Sequence, residues 1–284
     1  MRAPYRAGYF LLPRLEPQRA RPPVRAEGWY GRLSLTGVCE QPVHVGSGAP
    51  ERVRLAGRAA LVEGLTTVPS GRGPAPLIPG SSWKGAVRAV IEAVTPSCER
   101  PSREGCRTPK ALCPACALLG APGWRATVMF SDLRPRPGTA PAPASVAQRY
   151  SHASAPARGR RLYRREPEEP QPQEREVLLV LPKGTELEGE VAIAGAADEG
   201  LGLLTLALGL PPHGLPYLRV GGGKNRGLGV VRFARAVLEG GRGLAAVVGT
   251  RGADLTDRIG AWQEAAVRRF PPLKERLAVV RSHY

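Results

Sequence analysis

Residues 77–94 read LIPGSSWKGAVRAVIEAV and contain the clearest helix start in the sequence. Pro79 and Gly80 interrupt the preceding chain, and Ser81 or Ser82 could cap the first helical amides with a side-chain oxygen. The apolar residues that follow recur at helical spacing and predict one buried face: Trp83, Val87, Val90, Ile91 and Val94. The opposite face carries Lys84, Arg88 and Glu92. The stretch therefore predicts an amphipathic helix that stops before Pro96.

The start of this helix has the chemistry of an anion site. The first amides of a helix carry positive partial charge and attract phosphate. Two hydroxyls and the ammonium group of Lys84 lie beside them. Ordinary capping, with Lys84 in solvent, is the alternative.

The patterns on either side of this helix indicate the fold class. Strands are predicted near residues 30–45 and 125–135, and a strand, a Pro-Lys-Gly turn and a second strand over 175–195. A helix over 198–210, a strand–loop–strand unit over 217–239 and a helix over 254–270 follow. This order favours an α+β domain of the ferredoxin-like kind, with an antiparallel sheet and helices on one side. A doubly wound parallel fold fits less well, because hairpin-type connections dominate the second half.

The composition points to a polyanionic partner. The formal net charge is +17, with 36 Arg and 5 Lys. Codon bias explains the ratio of Arg to Lys but not the excess of base over acid, and nucleic acid is the usual counterpart of such a charge. No run of eighteen apolar residues exists, and the N-terminus lacks the apolar stretch of a secretory signal. We therefore expect a cytoplasmic protein with no membrane partner.

Four of the five cysteines lie within residues 98–116, in the spacing Cys98-x7-Cys106-x6-Cys113-x2-Cys116. A CxxC turn can present two thiolates to one zinc ion, and flexible loops can bring two more. Because all four positions would be filled by protein, the zinc would be structural. Free thiols, two disulfides and a redox CxxC are the alternatives. Cys39, alone in a strand, is expected in the core.

A glycine-rich segment, VGGGKNRGLGVV, lies between the two strands predicted over 217–239. Glycines let a backbone approach another chain closely and can direct amides at phosphate oxygens. The segment is neither a Walker loop nor a dinucleotide-binding fingerprint, because it precedes a strand rather than a helix. A tight hairpin without a ligand is the alternative. The candidate ligand-binding residues here are Gly221, Gly222, Gly223, Lys224, Asn225, Arg226 and Gly227.

Taken together and in this order, LIPGSSWKGAVRAV, CPACALLGA, ATVMFSDL and GGGKNRGLGVV resemble the RAMP superfamily, and in particular the backbone-type or capping subunits of type III CRISPR effector complexes. The resemblance runs from about Gly31 to Glu239. It implies a modified RRM domain over 29–284 with an N-terminal arm over 1–28. It also implies a zinc-stabilised insertion over 95–120 and a long, mobile, basic thumb-like loop over 133–175.

The family's sites can be carried over onto matching residues. The resemblance implies a crRNA-binding surface that includes the glycine segment together with Ser81, Ser82, Trp83, Lys84, Arg88, Arg160 and Arg161. It implies zinc on Cys98, Cys106, Cys113 and Cys116. The implied partners are crRNA, target RNA, other RAMP subunits and a polymerase-like large subunit.

One departure from the family bears on catalysis. Members that cut their target carry an aspartate before the Pro-Gly-Ser-Ser turn, but residues 46–79 contain no Asp and only two acids, Glu51 and Glu63. We therefore expect a subunit that holds RNA without cutting it. The alternative is an endoribonuclease that uses His44, His152 or a loop Glu as its general base. A zinc protein of unrelated type is a third possibility.

Overall fold

The computed structural model describes residues 8–71, 73–98, 105–147, 159–166, 175–243 and 252–284. The helices are α1 Gly80–Val94, α2 Pro114–Leu119, α3 Asp198–Ala207, α4 Ile259–Arg269 and α5 Pro272–His283. The strands are β1 Tyr9–Leu12, β2 Trp29–Cys39, β3 Gly46–Leu55, β4 Arg58–Leu65, β5 Thr67–Val68, β6 Ala75–Pro76, β7 Val128–Phe130, β8 Arg134–Pro135, β9 Ala142–Ala147, β10 Arg160–Tyr163, β11 Arg175–Val180, β12 Glu186–Ala196, β13 Leu218–Arg219, β14 Val230–Arg242 and β15 Ala253–Asp254.

The main sheet is antiparallel and has the order β13-β14-β2-β12-β7, with β15 on β14 and β8 on β12. Alternate residues of β2 face the core, because successive side chains of a strand point to opposite sides. Leu33 and Leu35 are buried, and so is Cys39, which was expected in the core. The expected α+β class with an antiparallel sheet is confirmed.

A smaller sheet has the order β3-β4-β11-β9 and corrects one prediction. The two strands predicted as a hairpin over 175–195 belong to different sheets: β11 pairs with β4 and β9, whereas β12 pairs with β2 and β7. The Pro-Lys-Gly turn does form, since the Thr185 amide donates to the Pro182 carbonyl at 3.2 Å. Turn residues specify a local reversal of the chain, but the partner of each strand is set by tertiary packing.

Helix α1 packs its predicted apolar face into the core. Trp83 is fully buried, lies edge-on to Phe130 at 4.5 Å between ring centroids, and donates its Nε1–H to the Ser131 carbonyl at 2.8 Å. Gly80 is required at this crossing, because a Cβ there would lie 2.2 Å from the Phe130 carbonyl oxygen. The helix start is thus held directly against the end of β7.

The cap of α1 is not the predicted one. No side chain of the local sequence caps the helix; instead the Gly80 amide donates to Asp132 Oδ1 at 2.9 Å. Asp132 follows β7, so the close approach of β7 to Gly80 delivers the carboxylate. Ser81 and Ser82 are consequently released from capping.

The described parts of the predicted arm and thumb-like loop form strands. Strand β1 pairs antiparallel with β10, with Phe10 opposite Leu162, so the described arm lies on its own domain. Residues 133–147 include β8 and β9, and β9 pairs with β11. The described part of the region predicted as a thumb-like loop thus contains β8, β9 and β10, and apolar residues in it are buried: Leu162 and Val146 are each about one-twentieth exposed. Residues 148–158 and 167–174 lie outside the described residues.

The last two helices complete the core. The helix predicted over 254–270 begins at Ile259 as α4, after a short 3-10 turn at whose start Asp254 Oδ1 accepts from the Thr256 amide at 2.9 Å. Helix α5 was not predicted. Within the described ranges, no helix is long and apolar enough to span a membrane.

Candidate nucleic-acid interface and metal centre

A cleft of about 160 Å³ lies between α1, β10 and the glycine-rich segment. The two anion-binding elements predicted from sequence therefore share one cleft. Small residues of α1 form its floor, namely Ser82, Gly85, Ala86 and Ala89. Three cations line it as well, and they are Arg161, Arg219 and Lys224.

The glycine segment connects β13 to β14 and turns through a 3-10 helix over Lys224–Arg226. Gly223 and Gly227 flank this turn with φ of +66° and +83°, a left-handed conformation that only glycine adopts without strain. Gly221 has φ +83°, and a Cβ there would lie 2.1 Å from the His44 carbonyl oxygen. Gly223 and Gly227 are therefore needed where the loop turns, and Gly221 is needed where the loop meets the segment that follows β2.

The loop presents part of its backbone to the solvent side. The Gly222 amide is already used, because it donates to the His44 carbonyl at 2.8 Å. The amides of Gly223, Lys224 and Asn225 have no acceptor among the described residues. A phosphate oxygen could accept from such a group of amides.

Lys224 lies deep in the cleft. Its Nζ donates to the Gly221 carbonyl and lies 5.7 Å from the Tyr163 ring centroid. Burial, with a smaller contribution from the nearby Arg219 guanidinium, lowers the pKa of Lys224 to about 8. A phosphate beside this ammonium group would favour its charged form.

Arg219 is the cation that the sequence analysis missed. It is only 5% exposed, its guanidinium donates to Gln41 Oε1 at 2.7 Å and to the Lys224 carbonyl, and its Nε has no partner among the described residues. Burial lowers its pKa to about 10. Two features of the sequence could have indicated this role. Arg219 lies between Tyr217 and the glycine segment, and small residues recur in α1 at spacings of three, four and seven, which places them on one face of the helix.

Three predicted RNA contacts face inward. Trp83 is completely buried. Arg226 is 4% exposed, pairs with Glu176 and donates to the Ala147 carbonyl at 2.8 Å. Arg88 donates to the Gly120 carbonyl at 2.9 Å. Trp83 is thus packed in the core, and the two arginines have protein partners.

The remaining predicted contacts include both a side chain that pairs within the protein and side chains that are at least partly accessible. Arg160 pairs with the fully buried carboxylate of Glu92, so Glu92 is not on a solvent face as predicted. Arg161 lies in the cleft with its guanidinium 5.0 Å from the Tyr9 ring centroid. Lys84 is partly exposed, and burial together with Arg88 lowers its pKa. Ser81 is exposed on the same turn.

The candidate general base His44 lies beneath the glycine loop. Its ring is 2% exposed; Nδ1–H donates to the Leu179 carbonyl at 2.7 Å, and Nε2 lies 3.4 Å from Glu63 Oε1. Glu51 is exposed on β3. His152 lies outside the described residues. His44 and Glu63, which the sequence analysis named separately, thus lie side by side; the histidine is buried, whereas the Glu63 side chain is 40% exposed.

The four clustered cysteines fit a single metal ion. Cys98, Cys106, Cys113 and Cys116 are buried, and their sulfurs all lie within 4.8 Å of one another. Cys98 Sγ lies 3.5 Å from the sulfur of Cys113, 3.6 Å from that of Cys116 and 3.9 Å from that of Cys106. Tetrahedral Zn–S bonds of about 2.3 Å place sulfurs about 3.8 Å apart, whereas a disulfide needs about 2.05 Å. The geometry therefore does not fit the two-disulfide alternative, and none of the four cysteines forms a disulfide.

Hydrogen bonding within the cluster favours thiolate at one position. The Cys116 thiol and its amide lower the pKa of Cys113 to about 4, and the same pairing raises the pKa of Cys116. The Cys113 amide also donates to Cys106 Sγ at 3.3 Å. By contrast Cys39 is a core residue, as predicted, and burial raises its pKa to about 12.

The structure thus combines a basic cleft on an antiparallel α+β domain with a cluster of four cysteines. The RAMP superfamily model matches residues 38–232, and this chain belongs to that superfamily. No curated protein matches it.

Among solved structures, the chain is similar to one in the "Cryo-EM structure of the Type III-B Cmr-beta bound to cognate target RNA". The identity is 13% and the TM-score 0.45, over 74% of this chain and 61% of that chain. This chain therefore spans less than two thirds of the length of that relative.

Proposed function

We propose that this protein is a non-catalytic crRNA-binding subunit of a type III CRISPR effector complex. It holds the guide backbone and helps to shape the guide–target duplex. Its partners are crRNA, target RNA, other RAMP subunits and a polymerase-like large subunit. Membership of the RAMP superfamily supports this proposal. The observation that carries it is the shared cleft, where the start of α1 and the glycine loop meet three cations.

The cleft suits a sugar-phosphate backbone. The unpaired amides of the glycine loop offer hydrogen bonds to phosphate oxygens, and Lys224 and Arg161 supply charge. The floor of the cleft is formed by small side chains of α1, so a polynucleotide can approach the helix closely. Tyr163 adds an aromatic ring at the edge on which a base could stack.

The non-catalytic part of the proposal rests on the placement of His44. A general base must come within hydrogen-bond reach of the proton it removes. His44 is enclosed by the glycine loop and the Leu179 carbonyl, away from the lining of the cleft. Incubation with precursor and target RNA tests this point. We expect no cleavage product, and cleavage that is lost in His44→Ala would favour the endoribonuclease instead.

We also propose that the cysteine centre holds structural zinc and that the protein works in the cytoplasm. The cysteines supply all four ligands that a structural zinc site needs. The insertion would gain stability from zinc that its short α2 cannot supply alone. Five free cysteines fit a reducing compartment.

A matched pair of double variants tests the RNA proposal. Lys84→Met with Lys224→Met removes one cation near the start of α1 and one that lines the cleft, whereas Lys183→Met with Lys274→Met removes two exposed ones elsewhere. We expect the first pair to weaken single-stranded RNA binding about tenfold or more and to lower the salt dependence by about one to two phosphate contacts. The second pair should change affinity by no more than about twofold. Equal losses in both pairs would contradict binding in the cleft.

A further inference from the structure

Arg88 is turned toward the metal centre, although it lies on α1. Its Nη2 donates to the Gly120 carbonyl at 2.9 Å, and its Nη1 lies 3.9 Å from Cys116 Sγ. Gly120 ends helix α2, which contains Cys116. One guanidinium therefore contacts both a ligand sulfur and the end of the helix that carries it.

The negative charge of a zinc-bound cysteine cluster would favour a cation beside it. Four thiolates around Zn²⁺ leave a net charge of about −2 in a buried site, and buried charge is costly unless it is compensated. Arg19, from the N-terminal arm, donates a hydrogen bond to Cys106. Arg88, which belongs to α1, lies beside a different cysteine, Cys116. The two guanidinium groups together would balance the charge of a zinc–thiolate cluster.

The same nitrogen of Arg88 that lies beside Cys116 also pairs with a buried carboxylate. Glu92 lies one turn further along α1, with its Oε1 3.4 Å from Arg88 Nη1, and its side chain has no exposed surface. The second carboxylate oxygen pairs with Arg160 of β10. Arg88 is thus held in a single orientation between the cysteine centre and Glu92.

We propose that Arg88 is a positioning residue of the metal centre, oriented by Glu92. Its guanidinium holds the Cys116 thiolate and the end of α2 in place for the metal and offsets the negative charge of the bound cluster. This inference rests on the proposed zinc. It also explains why Arg88, which was predicted to contact RNA, faces away from the cleft. Outer partners of metal ligands contribute about 10- to 100-fold in metal affinity.

Zinc affinity of the full chain tests the proposal, measured by competition with a chromogenic chelator. Arg88→Met should lower the affinity about 10- to 100-fold. The control is Arg268→Met on α4, whose exposed arginine also pairs with a glutamate four residues away. That variant should bind zinc like the wild-type protein. Wild-type affinity in Arg88→Met would overturn the proposal, and a wild-type protein that binds no zinc would overturn the zinc site itself.

A second variant separates positioning from folding. Arg88→Lys keeps the charge but cannot reach Cys116 and Gly120 with one planar fork. We expect it to remain folded by circular dichroism, to bind zinc more weakly than the wild-type protein, and to shift the thiolate-to-metal band of the Co²⁺-substituted protein. An unchanged affinity and an unchanged Co²⁺ spectrum would show that Arg88 does not position the ligands.

Discussion

Burial, as well as neighbouring charge, changes the pKa values of individual cations in the cleft. Lys224 and Arg219 are adjacent cations that protein encloses on most sides, and burial lowers the pKa of both. Such groups are poorly solvated in the free protein, so a polyanion that replaces water beside them gains more than it would at an exposed lysine. The sequence predicted Lys224 from its glycine neighbours, but it offered no sign that the side chain would be buried.

RNA affinity should depend on pH through Lys224. Its pKa is about 8 in the free protein, against an ordinary value of 10.5, and a bound phosphate raises it. Above about pH 8, binding must therefore take up a proton, and we expect the affinity to fall as the pH rises from about 8 toward 10. Fluorescence anisotropy across this range measures it.

Lys224→Met is the control for that titration. The variant should bind more weakly and lose most of the pH dependence between about pH 8 and 9.5. If the variant keeps the wild-type slope, another group is responsible for the proton uptake.

Two glycines of the loop allow a test of the backbone geometry. Gly221 and Gly227 share a φ of +83°, but a Cβ meets the His44 carbonyl oxygen at 2.1 Å only at Gly221, whereas nothing lies within 4 Å at Gly227. Gly227→Ala should cost about 1–2 kcal/mol of unfolding free energy from the backbone alone. Gly221→Ala should cost more, because the loop must also move away from residue 44. Equal losses in urea denaturation would argue against the close approach.

At the scale of elements, helix α1 contacts the main sheet, the cleft and the cysteine cluster. One of its faces packs on the main sheet, its small residues form the floor of the cleft, and Arg88 and Glu92 connect it to the cysteine centre and to β10. The helix and its apolar face were predictable because periodicity is local. The roles of Arg88 and Glu92 were not, because Arg160 and Gly120 lie far along the chain. Asp132 replaced the predicted serine caps for the same reason.

The buried carboxylate on α1 should be a strong stability determinant. Glu92→Ala leaves Arg88 and Arg160 without their buried partner, and we expect a loss of about 3–5 kcal/mol in the free energy of unfolding. Glu264→Ala on α4 is the matched control, because Glu264 also pairs with an arginine at i+4 but is 61% exposed. Its loss should stay below about 1 kcal/mol. Similar losses in both variants would show that the Glu92 network contributes little.

At the scale of the whole molecule, the cysteine cluster and the glycine loop were predictable from short motifs, whereas their surroundings depend on tertiary packing. The spacing of the cysteines predicted that they would cluster, but only the fold shows Arg88 and Arg19 beside the cluster. In the same way, the basic composition predicted a polyanion, but the fold separates cations that line the cleft from those that pair internally. Arg161 and Lys224 belong to the first group, and Arg226 to the second.

The open face of the main sheet is the alternative place for RNA. It forms a wider groove of about 720 Å³ with Ser34, Thr36 and Arg235 in its lining. Acidic residues share that groove, among them Glu188 and Glu190. This mixture of charges disfavours a polyanion there, whereas the cleft beside α1 is lined by cations and neutral residues.

Photo-crosslinking of 4-thiouridine-containing RNA to the full chain, read out by mass spectrometry, tests the central claim most directly. If the RNA backbone runs between the start of α1 and the glycine loop, crosslinked peptides should come from residues 81–89, 160–163 and 219–227. Crosslinks confined to peptides with Ser34, Thr36 and Arg235, with none from those three segments, would contradict the account.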